Sequence, residues 1–235
     1  MPATHALKIA HWYHAYAFGN WQKIVTSHLE ALESSGLAAE VGTLHLGIIG
    51  PQAERLALAA LCAKHLPVEI EAQADTGWEQ VTLEALRKKA GTFDVVLYAH
   101  TKGVSNPEGS DEHYENIWRW SMTAELITGW QKCVALLDEH EAVGCHWVCH
   151  SEVNRYCNDP GTYFYGGNFW WAQSSLLKRL KPPRADTRYD AELWFSLNGP
   201  VDAFDLTPGW PEPKNFTAPP PMVNVDTSGR YRGKT

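Results

Sequence analysis

The stretch FDVVLYAHTKG, residues 93–103, decides the fold. Phe93, Val95, Val96, Leu97, Tyr98 and Ala99 make a nearly continuous apolar run, interrupted only by Asp94. A run of that kind suits a central strand covered on both faces, as strands of parallel sheets are. It ends abruptly in His100-Thr101-Lys102-Gly103, a polar group closed by a glycine. Upstream, the pattern predicts strands at 8–16, 43–49 and 68–71 and helices at 21–34, 52–65 and 78–90, punctuated by Gly19-Asn20, Gly36, Gly50-Pro51 and Gly91. The 21–34 helix carries a stripe of Trp21, Ile24, Val25, Leu29 and Leu32; the 52–65 helix is expected to place Leu56, Ala59, Ala60 and Ala63 on one side. Strands alternating with helices indicate an α/β fold with a mostly parallel sheet flanked by helices.

Downstream, a polar loop at 104–111 leads to a long helix over 113–140, a strand over 142–148, and a loop through Asn158-Asp159-Pro160-Gly161. A strand-like segment at 163–172, a short helix at 174–180 and a helical pattern at 188–197 follow. From residue 200 onward prolines recur and the end turns polar, which reads as an irregular extension, packed at first and loose at its end. The division expected is a single domain over 1–199 and a Pro-rich extension over 200–235.

A length of 235 residues suffices for a sizeable core, and 44% hydrophobic with 20% charged residues is globular rather than disordered. A net charge of −7 without a basic run weighs against nucleic acid as the main partner. The N-terminal MPATHALKIAHWYHAY has no signal-peptide pattern, and no stretch approaches the roughly 20 apolar residues of a membrane span. Five cysteines, an odd number, fit a reduced cytoplasmic setting better than a disulfide framework.

In parallel sheets ligands sit at the carboxyl ends of the strands. Three clusters fall there: 11–16, 100–103 and 166–171. In the second, Lys102 could offer a fixed cation and Gly103 a close backbone approach to a diphosphate; an ordinary turn with a surface lysine explains the same residues. In the third, Gly166-Gly167-Asn168-Phe169-Trp170-Trp171, the glycines permit close approach and Asn168 offers donor and acceptor to sugar hydroxyls. Strand alternation sends Trp170 and Trp171 to opposite faces, one to stack on a ligand and one into the core; two core aromatics on a bulged strand are the plain alternative. Asp190 and Glu192, in RYDAELW, are either acids at a helix start or a general base on an acceptor hydroxyl.

These blocks in order (HWYHAY, LEALESSGL, FDVVLYAHTKG, IWRWSM, VGCHWV, YGGNFWWA and RYDAELWF) resemble a family of short bacterial and phage glycosyltransferases related to polysaccharide-synthesis enzymes. The resemblance spans about residues 8–197, with HTKG followed by GNFWWA its most specific part. It implies a GT-A-like fold, a nucleotide-sugar donor and a glycan or other acceptor. It sets His100, Lys102 and Gly103 at the donor site, Asn168 and Trp170 in the sugar pocket, and Glu192 as the base. His14, Tyr16, Thr101, Arg119 and Gly167 complete the expected donor set, and Asp190 is the second catalytic candidate. The acidic metal-binding motif usual at the HTKG position of GT-A enzymes is missing, so no metal ligand is named; a divalent cation, Mn or Mg, stays open. The alternative is a non-catalytic carbohydrate-binding protein.

His11 and His14, three apart in a strand, face opposite ways and suit packing better than a shared metal. Cys145, His146, Cys149, His150 and Cys157 match no common zinc spacing. Arg119, between Trp118 and Trp120, either reaches a phosphate or is solvated.

Overall fold

The computed structural model describes residues 6–104, 112–149, 163–196 and 199–208. Its strands are β1 (Ile9–Tyr16), β2 (Leu44–Ile49), β3 (Val68–Ala74), β4 (Val95–His100), β5 (Ala142–Gly144), β6 (Trp147–Cys149), β7 (Tyr163–Tyr165), β8 (Trp170–Gln173) and β9 (Ala203–Asp205). Seven of them form one sheet in the order β3-β2-β1-β4-β8-β5-β9; β6 and β7 pair separately. The β1–β2, β2–β3, β1–β4 and β5–β9 pairs are parallel, while β8 runs antiparallel to both its neighbours. The apolar run of the sequence is thus the middle strand, all six residues of it buried.

Period-two alternation divides the core into two layers. Tyr13, Leu97 and Trp171 face one side, packed with Ile24, Leu29, Leu58 and Met122. That side is covered by α1 (Trp21–Ser34), α2 (Leu37–Val41), α3 (Gln52–Cys62), α5 (Glu112–Thr123) and α6 (Trp130–Leu136). Trp12, Val96, Tyr98 and Trp170 face the other, against α4 (Gln80–Lys89), α7 (Ser174–Arg179) and Trp194. The stripe expected on α1 is its buried face, with His28 added.

Several expectations change. On α3 the buried residues are Leu58 and Cys62, one turn apart, while Leu56 is 63% exposed. Ala59 and Leu61 are half-buried against the same core layer, so the inward face is rotated away from Leu56. The helix expected over 113–140 is broken. Residues Ala124–Thr128 form a π-helical turn and Gly129 separates α5 from α6. Two side chains enter that turn: Trp171 Nε1 donates to the Leu126 carbonyl at 2.8 Å, and Cys133 Sγ to that of Glu125 at 3.3 Å. Inserted donors of this kind open an α-helical ladder. The strand expected over 142–148 is cut at His146, whose φ of 58° turns the chain from the large sheet into the small one. The helical pattern over 188–197 shrinks to a 3-10 turn, Arg188–Ala191. Beyond residue 200, Ala203–Asp205 joins the main sheet as β9, so the expected irregular extension begins with a paired strand. Residues 209–235, and the loop at 158–161, lie outside the described residues.

Candidate active site

Strands β1, β2, β3 and β4 present their carboxyl ends on one edge. Because β8 is antiparallel to β4, with Tyr98 opposite Trp170, the turn that precedes β8 reaches the same edge. His100 Nε2 accordingly meets the Gly167 carbonyl at 2.8 Å. HTKG and Gly167-Asn168, 67 residues apart at that bond, are therefore neighbours as expected.

The turn is sterically exacting. Gly167 has φ +87°, and a Cβ there would lie 2.8 Å from Met122 Sδ and 3.1 Å from Trp118 Nε1. Asn168 has φ +53°, one of two non-glycine residues with positive φ among those described; His146 is the other, and its carbonyl accepts from Gly166 N–H at 2.9 Å. Left-handed non-glycine residues next to a strand end mark strain of the kind found at functional sites.

Thr101 ties two strands together. Its Oγ1 accepts from Tyr16 N–H at 2.9 Å, and its own N–H donates to the His14 carbonyl at 3.0 Å. Tyr16 hydroxyl donates to the Gly77 carbonyl at 2.6 Å. Phe18 and Trp78, exposed aromatics, flank these two positions in sequence. Lys102 Nζ lies 4.0 Å from the Trp118 ring centroid, and Arg119 Nη1 donates to the Lys102 carbonyl at 2.8 Å. Arg119 is 7% exposed. Of the two roles open to it in sequence, solvation is ruled out; it braces the loop that carries Lys102.

His14 and His100 are register partners on adjacent strands, both buried. His14 Nδ1 shares a 2.6 Å hydrogen bond with Thr82 Oγ1 of α4. That approach depends on Gly47 in β2, where a Cβ would fall 1.8 Å from Thr82 Oγ1. Burial lowers both imidazoles from 6.5 to about 3, with His100 acting on His14 and Lys102 on His100. These rings are neutral hydrogen-bonding groups at physiological pH.

The residue that sequence reasoning missed is Glu79, just before α4. Its Oε2 accepts from Tyr98 hydroxyl at 2.9 Å and from Asn168 Nδ2 at 2.7 Å, and its Oε1 lies 3.6 Å from His100 Nδ1. Burial raises its carboxyl from 4.5 to about 7, against the opposing pull of the Tyr98 and Asn168 hydrogen bonds and of Lys102 and Arg188. In sequence, Trp78-Glu79-Gln80 reads as an ordinary acid at a helix start; only strand β4 and the Asn168 turn, brought over it, reveal otherwise.

Asn168 and Trp170 take different roles from those expected. Asn168 Oδ1 accepts from Trp170 Nε1 at 2.8 Å, so the amide links the indole to Glu79. Trp170 is 2% exposed and stacks on Tyr98 with ring centroids 5.0 Å apart. It is a wall beneath the site, not a free platform for a sugar. Trp171 goes to the opposite core layer, as alternation requires.

Glu192 borders a closed gap, too tight for a water molecule, with Asn168, Trp170, Tyr165, Trp194 and Phe195. Asp190 does something else. Its Oδ2 accepts from Thr187 N–H at 2.6 Å and the Thr187 side chain returns the bond, a reciprocal cap on the 3-10 turn. Of the two catalytic candidates only Glu192 borders the gap that Asn168 lines. Gln80 Nε2, donating to the Thr187 carbonyl at 2.8 Å, ties this turn to α4.

Among the described residues one group could ligate a metal: His45, Glu69 and Glu71. It lies near the amino ends of β2 and β3, away from HTKG, and Lys89 Nζ already bonds both carboxylates at 2.7 and 2.8 Å. It does not fit a cation serving a donor diphosphate. In the Cys/His group, Cys145 is a buried free thiol whose pKa burial raises, while His150 and Cys157 and the side chain of Cys149 lie outside the described residues. His11 bonds His28 across the opposite layer, Nε2 to Nε2 at 2.7 Å, and has no part in the site.

A family model described as a domain of unknown function, DUF8361, matches residues 12–202. No curated protein sequence matches the chain. Among solved structures, a 4-diphosphocytidyl-2C-methyl-D-erythritol synthase from Anaerococcus prevotii DSM 20548 is similar at 12% identity and a TM-score of 0.48, over 86% of this chain and 90% of that one. A glucose-1-phosphate thymidylyltransferase from Bacillus anthracis gives 11% and 0.46, over 84% and 87%. Staphylococcus aureus TarS, residues 1–349, gives 12% and 0.43, over 83% and 58%. At such identities and scores the chemistry rests on the site's own residues. No helix among the described residues is long and apolar enough to cross a membrane.

Proposed function

We propose that this chain, which belongs to the DUF8361 family, is a glycosyltransferase of GT-A-like architecture. It moves a sugar from a nucleoside-diphosphate carrier to a glycan or other acceptor, with inversion. One observation carries the reading: at the carboxyl edge of the parallel strands, His100, at the head of the Lys102 loop, meets the Gly167-Asn168 turn. That edge is where α/β sheets bind ligands.

Each residue has a part that follows from its chemistry. Lys102, with Gly103 at φ +84° beside it, is a cation for the diphosphate, whose negative charge grows as the glycosidic bond breaks. Arg119 holds that loop in place through the Lys102 carbonyl. Tyr16 and the exposed Phe18 and Trp78 suit the flat face of a nucleobase. Glu192 takes the proton from the acceptor hydroxyl while that oxygen attacks the anomeric carbon and the nucleoside diphosphate departs. Its charge also steadies the oxocarbenium-like centre. His14 and His100, neutral, shape the floor. The setting proposed is cytoplasmic polysaccharide synthesis, with neither nucleic acid nor a membrane span involved.

The test is a thermal-shift screen with UDP-, GDP-, dTDP- and CMP-sugars, with and without manganese, on wild type and Lys102→Ala. At least one donor should raise the wild-type melting temperature and do so less in the variant. Wild-type protein indifferent to every donor would sink the reading.

A further inference from the structure

The hydrogen bonds around Glu79, taken with a neutral His100, point to where its proton lies. An indole N–H only donates, so the Asn168 oxygen must face Trp170 Nε1 and its amide nitrogen must face Glu79 Oε2. Tyr98 hydroxyl, kept protonated because burial and then Glu79 raise its pKa, also donates to Oε2. Oε2 is therefore an acceptor twice over. The Gly167 carbonyl only accepts, so His100 carries its hydrogen on Nε2, and Nδ1 of the neutral ring is a bare lone pair. That lone pair faces Glu79 Oε1 at 3.6 Å. An ionised Glu79 would set lone pair against lone pair in a buried site. A proton on Oε1 removes the conflict.

We propose that Glu79 is a positioning residue held as a neutral carboxylic acid, its Oε1 proton directed at His100, and that the donor site keeps its full positive charge for a diphosphate only while that proton is in place. The charged groups acting on Glu79 are Lys102, which follows β4, and Arg188 on the 3-10 turn. Tyr98 and His100 face it from β4, and Tyr16 of β1 feels its charge. Neutral, Glu79 offsets neither cation. Ionised, Glu79 offsets one of them and repels the ligand, so a diphosphate and the Glu79 proton bind together. The link to a diphosphate rests on the function proposed above; the proton's location does not.

The experiment compares wild type, Glu79→Gln and Tyr98→Phe as full chains. Glutamine is the isostere of the neutral acid: its oxygen accepts from Tyr98 and Asn168 and its amide donates toward His100. Melting temperatures are read from pH 5.5 to 8.5. A folded pKa raised to about 7 gives stability that declines as pH rises through that value. The buried histidines raise stability with pH in every one of these chains, so the Glu79 contribution is read as a difference: wild type should lose stability relative to Glu79→Gln as pH rises toward 7, and the gap should level off above it. Tyr98→Phe removes a donor that favours the carboxylate and should move that levelling-off to higher pH. A gap between wild type and Glu79→Gln that does not change with pH overturns the proposal. So does a glutamine variant that is far less stable at pH 5.5 or fails to fold, or an unshifted Tyr98→Phe curve. Calorimetry with UDP-, GDP- and dTDP-glucose, whose diphosphate diesters do not titrate in this range, is the second readout. Wild-type affinity should weaken about tenfold from pH 6 to 8 and that of Glu79→Gln should not; equal pH dependence in both breaks the link to the ligand. If no donor binds wild type, the donor-site reading fails and the melting curves alone decide the proton.

Discussion

Acidification from pH 7.5 to 5 should bring the protein to the brink of unfolding. His11, His14, His100 and His146 are buried, and burial, their largest influence, lowers His11 from 6.5 to about 4 and the other three to about 3. The unfolded chain takes up these protons below pH 6.5 and the folded chain does not. Their contribution is therefore whole above about pH 6.5 and shrinks as pH falls toward the folded values. One pH unit is worth about 1.4 kcal/mol per group, so at pH 5, some 1.5 units below 6.5, each costs about 2 kcal/mol and the four on the order of 8. Glu79 acts in the other direction. With its carboxyl at about 7 folded and 4.5 unfolded, it gains about 2.7 kcal/mol of stability between pH 7 and 5. The net loss, about 5 kcal/mol, is comparable with the whole stability of many domains, roughly 5–15 kcal/mol. Urea titrations followed by circular dichroism and tryptophan fluorescence at pH 7.5, 6.5, 5.5 and 5.0 measure this directly. A midpoint that holds steady or rises between pH 6.5 and 5 would refute the reasoning, because the buried imidazoles would then be taking their protons inside the fold.

Three further outcomes follow from the site. Lys102→Ala should weaken nucleotide-sugar binding by about 1.5–3 kcal/mol in calorimetry, the worth of a charged hydrogen bond. Its melting temperature should barely move; the cation–π attraction of the ammonium to Trp118 is worth about 1 kcal/mol. Glu192→Gln should cut sugar transfer by about 100- to 10,000-fold while keeping donor binding. Asp190→Asn, assayed beside it, should retain turnover and lose about 1 kcal/mol of stability as a cap residue; the reverse pattern would move the base to Asp190. Gly167→Ala combines a left-handed backbone with a Cβ 2.8 Å from Met122 Sδ. It should cost about 1–3 kcal/mol in denaturant titration, and an unaffected midpoint would show that the turn relaxes freely.

The parts of the fold legible in the sequence are those written in local periodicity. The 93–99 run had to be a strand covered twice, and the α1 stripe had to face the sheet, because apolar spacing alone determines both. The opposed faces of Trp170 and Trp171 follow in the same way. What escaped depends on residues far apart in the chain meeting in space. The π turn in the middle of the expected long helix is opened partly by Trp171, 45 residues from the carbonyl it takes. The cut at His146 depends on a left-handed backbone that no composition signals. Glu79 becomes a buried acid only when Tyr98, 19 residues on, and Asn168, 89 residues on, close over it. The role of Asp190 was within reach, since Thr187 three residues before it is a capping pattern.

The antiparallel strand β8 has a kinetic consequence. Strands β1 to β4 are joined through consecutive βα units and pair among themselves, so the first hundred residues hold a contiguous parallel half-sheet. The outer side of β4 is closed by β8, through pairs 72 residues apart at Tyr98–Trp170 and 78 apart at Val95–Gln173. During synthesis β4 emerges well before its second partner, and until then it is an open edge of largely apolar character, the kind that recruits strands from other chains. Bringing β8 home must overcome the loop entropy of that separation. Since His100, Glu79 and the Asn168 turn meet only across this last seam, the site should mature late in folding, and slow steps in refolding should coincide with its appearance, not with the collapse of the first half.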